Sequence, residues 1–402
     1  MKAVVVGNGL AGTIAAKTLR ELDDDIEIVV FAEESHPYYP RPNLIEFLSG
    51  TLPREKLGAF PEEWNVRQRI DVHLGEKVVA IEPSSRTART SAHRESLYDV
   101  LLLAPGARAA VPPIKGTDKE GVFLWRTLDD ALSILGYLAA HPRVAVVGGG
   151  LLGLETARAL RARGADVLVV EVFDRLLPRQ LDGEGASILR SQIEKTGIAV
   201  RCGTVVEEIF GGDAVAGLRF KDGDRIETDM VVISAGVTPD TALAQSAGLD
   251  VRRGVVVDDR MRTSIPGIFA AGDVAEHKGR CYGIIPASFE QARAAAHNML
   301  GRDKSYEGTI PSNTLKVVGI HLLSAGDALS EAGGDEVLVR RDPEEGLYLK
   351  LVLRDGRLRG AIWMGKKRGM GEIARLVSAG ADVGKWRERL LAEDFDFGEI
   401  FQ

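Results

Sequence analysis

Cysteine is nearly absent. Two residues in 402, Cys202 and Cys281, are too few and too far apart to make a disulfide framework. That excludes a small stapled fold and suits a reducing compartment, so a cytoplasmic setting is expected. The seven histidines show no metal-ligand spacing, and neither H-E-x-x-H nor C-x-x-C occurs, so no metal is expected. No apolar run reaches the roughly 18 residues that a membrane span needs. Excess basic charge is missing too: the formal net charge is -7 and the pI about 5.7, which argues against nucleic-acid binding. The start, MKAVVVGNGLAGTIAA, has the lysine and apolar run of a signal peptide, but no A-x-A pattern follows.

Glycine is what the chain has in quantity, 45 residues, and the spacing is informative. A buried-strand pattern over Val4–Val6 runs into Gly7, Gly9 and Gly12 in G-x-G-x-x-G order. A helical pattern follows, and then a second strand that ends in Glu33 and Glu34. This unit suits a dinucleotide: the first glycine makes the turn, the second lets the main chain approach a pyrophosphate, and the third lets helix and strand pack closely. The helix N-terminus faces the phosphates and the acid takes a ribose hydroxyl.

One such fingerprint is a weak signal, but the pattern returns. VAVVGGGLLGLETARAL carries Gly148, Gly150 and Gly153, each 141 positions after its counterpart, and the following strand ends in Glu171. The echo extends to YDVLLLAPGARA and TDMVVISAGVTP, where a buried strand leads to Gly106 and to Gly236. Each of these strands follows a β-rich stretch, so two βαβ domains with an added antiparallel meander are expected. A further strand, IFAAGD, ends at Gly272-Asp273, where a carboxylate reaches sugar or phosphate hydroxyls. The sequence PASFEQARAAAHNML then predicts a helix, with Pro286 just outside and Ser288 with Gln291 as an S-x-x-Q capping box. Its free N–H groups form a positive pole, and its alanines predict close packing.

These motifs, with the APGA turn at 104–107 and the SAG turn at 234–236, resemble the pyridine nucleotide-disulfide oxidoreductases over about the first 310 residues. The resemblance implies an α/β chain with two Rossmann-like three-layer ββα domains and a small α+β C-terminal domain. An FAD domain would span 1–110 and 237–310, an NAD(P)H domain 111–236, and the C-terminal domain 311–402. The first fingerprint with Glu33, Ala104, Gly106 and Asp273 would hold FAD, and the second with Gly236 would hold NAD(P)H. The helix from about Ala287, with Pro286 and Ser288, would point at the flavin's N1/O2 edge.

Relatives in this family carry redox cysteines at the flavin face, and this chain has none there. In their place stands YYPRPNLIEFLSG, residues 38–50, whose Tyr39, Arg41 and Leu44 resemble the subgroup that passes electrons straight out of FAD. Pro40 and Pro42 predict an extended start. Arg41 would reach the cofactor, and a helix would open at Asn43. Where ferredoxin reductases continue with Ser-Lys, this chain has Ile45-Glu46. The C-terminal part resembles rubredoxin-reductase and nitrite-reductase relatives.

The resemblance therefore implies hydride transfer from NADH to FAD, then single-electron transfer to a small acidic carrier of rubredoxin or ferredoxin type. An oxygen-reducing NADH oxidase and a flavin relay subunit are the rival readings. Glu171 favours NADH over NADPH, because a carboxylate accepts from a 2′-hydroxyl and repels a 2′-phosphate. Arg175 stands near enough in sequence to relieve that repulsion in part. Glu155 matches a glutamate held near the nicotinamide, or is an ordinary first-turn glutamate favoured by the helix dipole. Cys202 is expected in the core, and Cys281 in a loop near the cofactor. Residues 340–389 hold 13 Lys/Arg against 7 Asp/Glu, with Lys366-Lys367-Arg368 the densest patch, which is either solvated or a docking face. Both monomer and homodimer are compatible with the sequence.

Overall fold

The computed structural model describes residues 1–61, 63–309, 312–329 and 333–400, with the backbone alone for 312–317. The chain forms two compact units. The first comprises 1–47, 52–108 and 237–309; the second comprises 48–51, 109–236 and 310–402.

The first unit is built on a five-stranded parallel sheet in the order Ile268–Ala270, Val100–Leu103, Lys2–Val6, Glu27–Phe31, Ile70–His73. The inner strands, Lys2–Val6, Glu27–Phe31 and Val100–Leu103, are short, mostly apolar and largely buried, as a parallel sheet requires. Helix α1, Leu10–Leu22, follows the first strand and packs against a long helix near the end of the unit through Ala11, Ala15 and Ala16. An antiparallel meander, Val78–Glu82, Thr87–Thr90 and Glu95–Leu97, supplies a further layer.

The second unit repeats the plan. Its parallel sheet has the order Ala199–Arg201, Asp166–Val170, Arg143–Val147, Met230–Ile233, Val122–Leu124. Helix α2, Leu151–Ala162, takes the place of α1, and the meander is Val206–Phe210, Gly217–Phe220 and Arg225–Glu227. The repeat holds at atomic level. Asp99 exchanges backbone contacts with Lys2, donating its amide to the Lys2 carbonyl and accepting the Lys2 amide on its carboxylate. Asp229 does the same with Arg143. In both units an aspartate therefore sets the register of the strand that leads to the second glycine turn.

The same unit carries a five-stranded antiparallel sheet in the order Ser312–Val317, Ile320–Gly326, Arg357–Met364, Leu347–Arg354, Glu336–Asp342. One face is buried with the helix Met370–Ala379 in a core that includes Leu349, Leu351, Trp363, Ile373 and Leu376. From the other face, Tyr348 and Lys350 reach Asp182, the N-cap of the helix Gly183–Lys195.

The segment Tyr38–Gly50 is coil to Pro40 and helical over Asn43–Ser49. The carbonyls of Pro40, Arg41 and Pro42 accept the amides of Asn43, Leu44 and Ile45, so the turn begins at the prolines that also stiffen the approach.

The expected capping box is corrected here. Helix α3 runs Ile285–Met299, its N-cap is Ile284, and Pro286 lies within the first turn rather than outside it. Proline suits that position because its missing N–H needs no partner there. Ser288 therefore sits one turn in, where its amide donates to the Ile284 carbonyl.

Candidate functional site

Each unit brings its glycine turn against the end of a neighbouring strand. Gly7 has φ +105° and Gly148 φ +124°, a region that side chains other than glycine rarely enter. A Cβ on Gly7 would lie 2.2 Å from the Ala104 carbonyl oxygen, and one on Gly148 2.3 Å from that of Ser234. A Cβ on Gly12 or on Gly153 would lie 1.9 Å from the carbonyl oxygen of Gly7 or Gly148. The turns close onto their helices to a depth that only glycine permits.

The middle glycines behave differently. A Cβ on Gly9 or Gly150 would meet nothing within 4 Å among the described residues. Both are helix N-caps without a side-chain cap, so the first-turn N–H groups of α1 and α2 stay open to an anion. Open donors beside an unobstructed main chain fit a phosphate.

Further segments converge on the first turn. Gly272, φ +84°, lies so close to α1 that a Cβ would come 2.9 Å from the Ala11 Cβ and 3.8 Å from the Ser288 Oγ. Asp273 follows, half-buried. The first turn of α3 thus reaches this crevice through Ser288, beside buried Ala287 and exposed Pro286. Gln291, which local sequence assigns to capping, instead accepts the Gly272 amide on Oε1 at 3.0 Å. Its Nε2 is buried and has no partner among the described residues. Such a donor is costly to leave unpaired and fits a bound acceptor. Gly106, φ +81°, continues from Ala104 and accepts the Asp240 amide on its carbonyl.

The acids at the strand end are sorted by the fold. Glu33 is exposed and pairs with Lys77 at 2.9 Å and with Arg108 at 3.5 Å. Glu34 turns the other way and holds Arg41 at 2.6 Å and the Tyr39 hydroxyl. Pro42 is exposed on the turn that follows Arg41.

In the second unit, Glu171 is 5% exposed and both of its oxygens are engaged by main chain. Oε2 accepts the Gly149 amide at 2.5 Å and Oε1 accepts the Phe173 amide at 2.9 Å. Exposed Val172, Phe173 and Val205 make an apolar rim beside it. Ser234 Oγ, next to Gly153, is another buried group with no partner among the described residues. Gly236, φ +96°, closes the turn and accepts the Ala110 amide.

Three expectations are corrected. Arg175 does not turn toward Glu171: it donates to the Leu181 and Pro178 carbonyls and pairs with Asp174. Glu155 is no free surface residue; it pairs with Arg158 at 2.9 Å and accepts the Val318 amide at 2.6 Å, in the turn between the first two strands of the antiparallel sheet. Cys202 lies half-buried just past the strand Ala199–Arg201 rather than in the core. Burial raises the thiol pKa of both Cys202 and Cys281, and Glu276 raises that of Cys281 further. Among the described residues no group of His, Cys, Asp and Glu could hold a metal, and no helix is long and apolar enough to cross a membrane. The basic patch is partly neutralised, because Glu393 pairs with both Lys366 and Arg340.

Two glycine cradles on parallel sheets, each followed by a meander, define a two-dinucleotide-domain protein. Residues 1–298 match the pyridine nucleotide-disulphide oxidoreductases, and the chain belongs to that family. Residues 311–381 match the rubredoxin NAD+ reductase C-terminal domain. The chain is 37% identical to the nitrite reductase [NAD(P)H] of Bacillus subtilis (strain 168) over 95% of its own length and 48% of that protein's. It thus spans about half the length of the first curated relatives it matches. It is 32% identical to the biphenyl dioxygenase system ferredoxin--NAD(+) reductase component of Paraburkholderia xenovorans (strain LB400), covering 94% of this chain and 93% of that one. The crystal structure of the ferredoxin reductase for the CYP199A2 system from Rhodopseudomonas palustris superposes with a TM-score of 0.88 at 27% identity, covering 99% of both chains.

Proposed function

We propose that this chain is an FAD-dependent NADH oxidoreductase that passes single electrons to a small iron–sulfur carrier. The observation that carries this reading is the pair of open cradles, Gly9 and Gly150, in a chain that has no cysteine in the Tyr38–Gly50 segment. FAD supplies the exchange between a hydride and two single electrons, so no nucleophilic side chain is needed.

In this reading the first unit binds FAD. The amides of the Gly7–Gly12 turn and α1 hold its phosphates, Asp273 and Glu33 take sugar hydroxyls, and the N-terminus of α3 faces the ring. Arg41, Pro42, Ala104 and Gly106 complete the contact. The second unit binds NADH, with Gly148, Gly150, Gly153 and Gly236 around its phosphates and Glu171 on the adenosine ribose. Arg175 is committed to the Leu181 and Pro178 carbonyls and to Asp174 rather than to a 2′-phosphate, which supports NADH over NADPH. Glu155 lies near the nicotinamide. Residues 311–402 form the third part, and exposed Lys367 and Arg368 offer the acceptor a positive face.

Anaerobic stopped-flow reduction by NADH, followed by mixing with oxidised rubredoxin, ferredoxin or oxygen, tests the proposal. Rapid reoxidation by an iron–sulfur carrier, slowing as ionic strength rises, is expected. Faster reoxidation by oxygen would make the protein an NADH oxidase. Negligible turnover with every carrier would make it a relay subunit.

A further inference from the structure

Arg41 is held on two sides in the first unit. Its backbone lies between Pro40 and Pro42, and its carbonyl accepts the Leu44 amide at 3.0 Å. Its guanidinium closes a ring of contacts. Nη2 reaches Glu34 Oε1 at 2.6 Å, Nη1 reaches the Tyr39 hydroxyl at 3.1 Å, and that hydroxyl donates to Glu34 Oε2. The guanidinium carbon also lies 5.6 Å from the centroid of the Tyr39 ring. Tyr39 is 6% exposed, so its ring is packed within the unit. Burial works against the Arg41 charge, yet the Glu34 carboxylate and the Tyr39 hydroxyl hold its pKa above the usual arginine value.

This arrangement differs from the ordinary use of an acid at a strand end. Both Glu34 oxygens are engaged by side chains of the Tyr38–Gly50 segment, Oε1 by Arg41 and Oε2 by Tyr39. Glu33 is separated from the ring by its own partners, Lys77 and Arg108. A long arginine side chain has many rotamers, and a fork fixed before binding loses less freedom when it meets a phosphate.

We propose that Glu34 and Tyr39 are positioning residues that preset the Arg41 guanidinium for the phosphates of the flavin nucleotide. The proposal rests on the reading of the first unit as the FAD unit. It assigns Glu34 to the arginine rather than to the sugar, and it explains why a tyrosine stands before the P-R-P sequence.

The test is the rate at which FAD leaves the intact holoenzyme on dilution, followed as the return of flavin fluorescence. Arg41→Ala, Tyr39→Phe and Glu34→Ala are compared singly and in pairs, with thermal unfolding of each variant as a control. Each single variant is expected to release FAD about tenfold faster. In the Arg41→Ala background, neither Tyr39→Phe nor Glu34→Ala should speed release further, because they act through the arginine. Full additivity in that background would overturn the proposal and make both residues supports of the segment. A silent Arg41→Ala would instead count against Arg41 as a cofactor contact. Tyr39→Phe keeps the ring and its packing, so it reads the hydroxyl even if Glu34→Ala unfolds.

Discussion

The Glu171 carboxylate accepts the Gly149 amide at 2.5 Å and so ties the end of one strand to the glycine turn that leaves its neighbour. The contact fixes a buried carboxylate at the strand end, which the proposed reading assigns to the adenosine ribose. Replacing Glu171 with Ala removes both the acceptor and the charge. Catalytic efficiency with NADH should fall by about ten- to a hundredfold, the range for one hydrogen bond to a charged group. Efficiency with NADPH should fall less or rise, so the ratio moves toward one. Flavin content should stay unchanged; steady-state kinetics with both nucleotides read the ratio.

The glycines separate ligand approach from folding. Gly9→Ala places a methyl where, among the described residues, nothing lies within 4 Å, so the apoprotein should lose about 1 kcal/mol or less, the cost of a weaker N-cap. FAD binding should nonetheless weaken severely. Gly12→Ala drives a methyl to 1.9 Å from the Gly7 carbonyl oxygen and should cost fold and cofactor together. Flavin stoichiometry after purification, set beside thermal unfolding, distinguishes the two. Intact FAD binding in Gly9→Ala would remove the phosphate from this turn.

Both thiols should be bystanders. Burial raises the pKa of Cys202 and of Cys281, so little thiolate is present at neutral pH. The double variant Cys202→Ser, Cys281→Ser should reduce its flavin with NADH at the parental rate. Iodoacetamide should modify the parent slowly and without loss of that step. Fast inactivation would give one thiol a role.

Acid stability should bear the mark of Asp182. Burial works to raise its pKa, but the Gly185 amide, Lys350 and Tyr348 together depress it below the ordinary aspartate value. A depressed carboxylate contributes stability that is complete above its unfolded value, about 3.9, and is lost as pH falls through the folded one. Asp182→Asn should flatten this acid limb. Tyr348→Phe removes a 2.8 Å bond to a charged partner and should cost about 1–3 kcal/mol at pH 7. Denaturant titrations from pH 3 to pH 7 read both effects.

Much of the fold is legible in the chain because its signals are local. The strands before the two glycine fingerprints, Lys2–Val6 and Arg143–Val147, are mostly apolar runs, and the turns after them need a positive φ and a close approach that glycine alone allows. The repeat at 141 positions doubles that evidence. The helix at Asn43 is legible for the same reason, since two prolines set its start.

Side-chain partners were the illegible part. Ser288 and Gln291 have the spacing of a capping box, and local propensity alone would make one. Pro286 already occupies the first turn, and the Gly272 amide, buried 19 residues away in the chain, takes the Gln291 oxygen instead. An unpaired buried amide outweighs an optional cap. Glu33 and Glu34 are neighbours in sequence, yet they leave the strand on opposite sides; Lys77 and Arg108 claim one, Arg41 and Tyr39 the other. Lys366 looks like free positive charge until Glu393 folds against it. The sequence by itself determined where the main chain must turn and which strands are buried, because backbone sterics and hydrophobic burial act within a few residues. Only the tertiary structure decided which polar groups meet, because a buried donor or acceptor takes whatever partner the distant chain brings within about 3 Å.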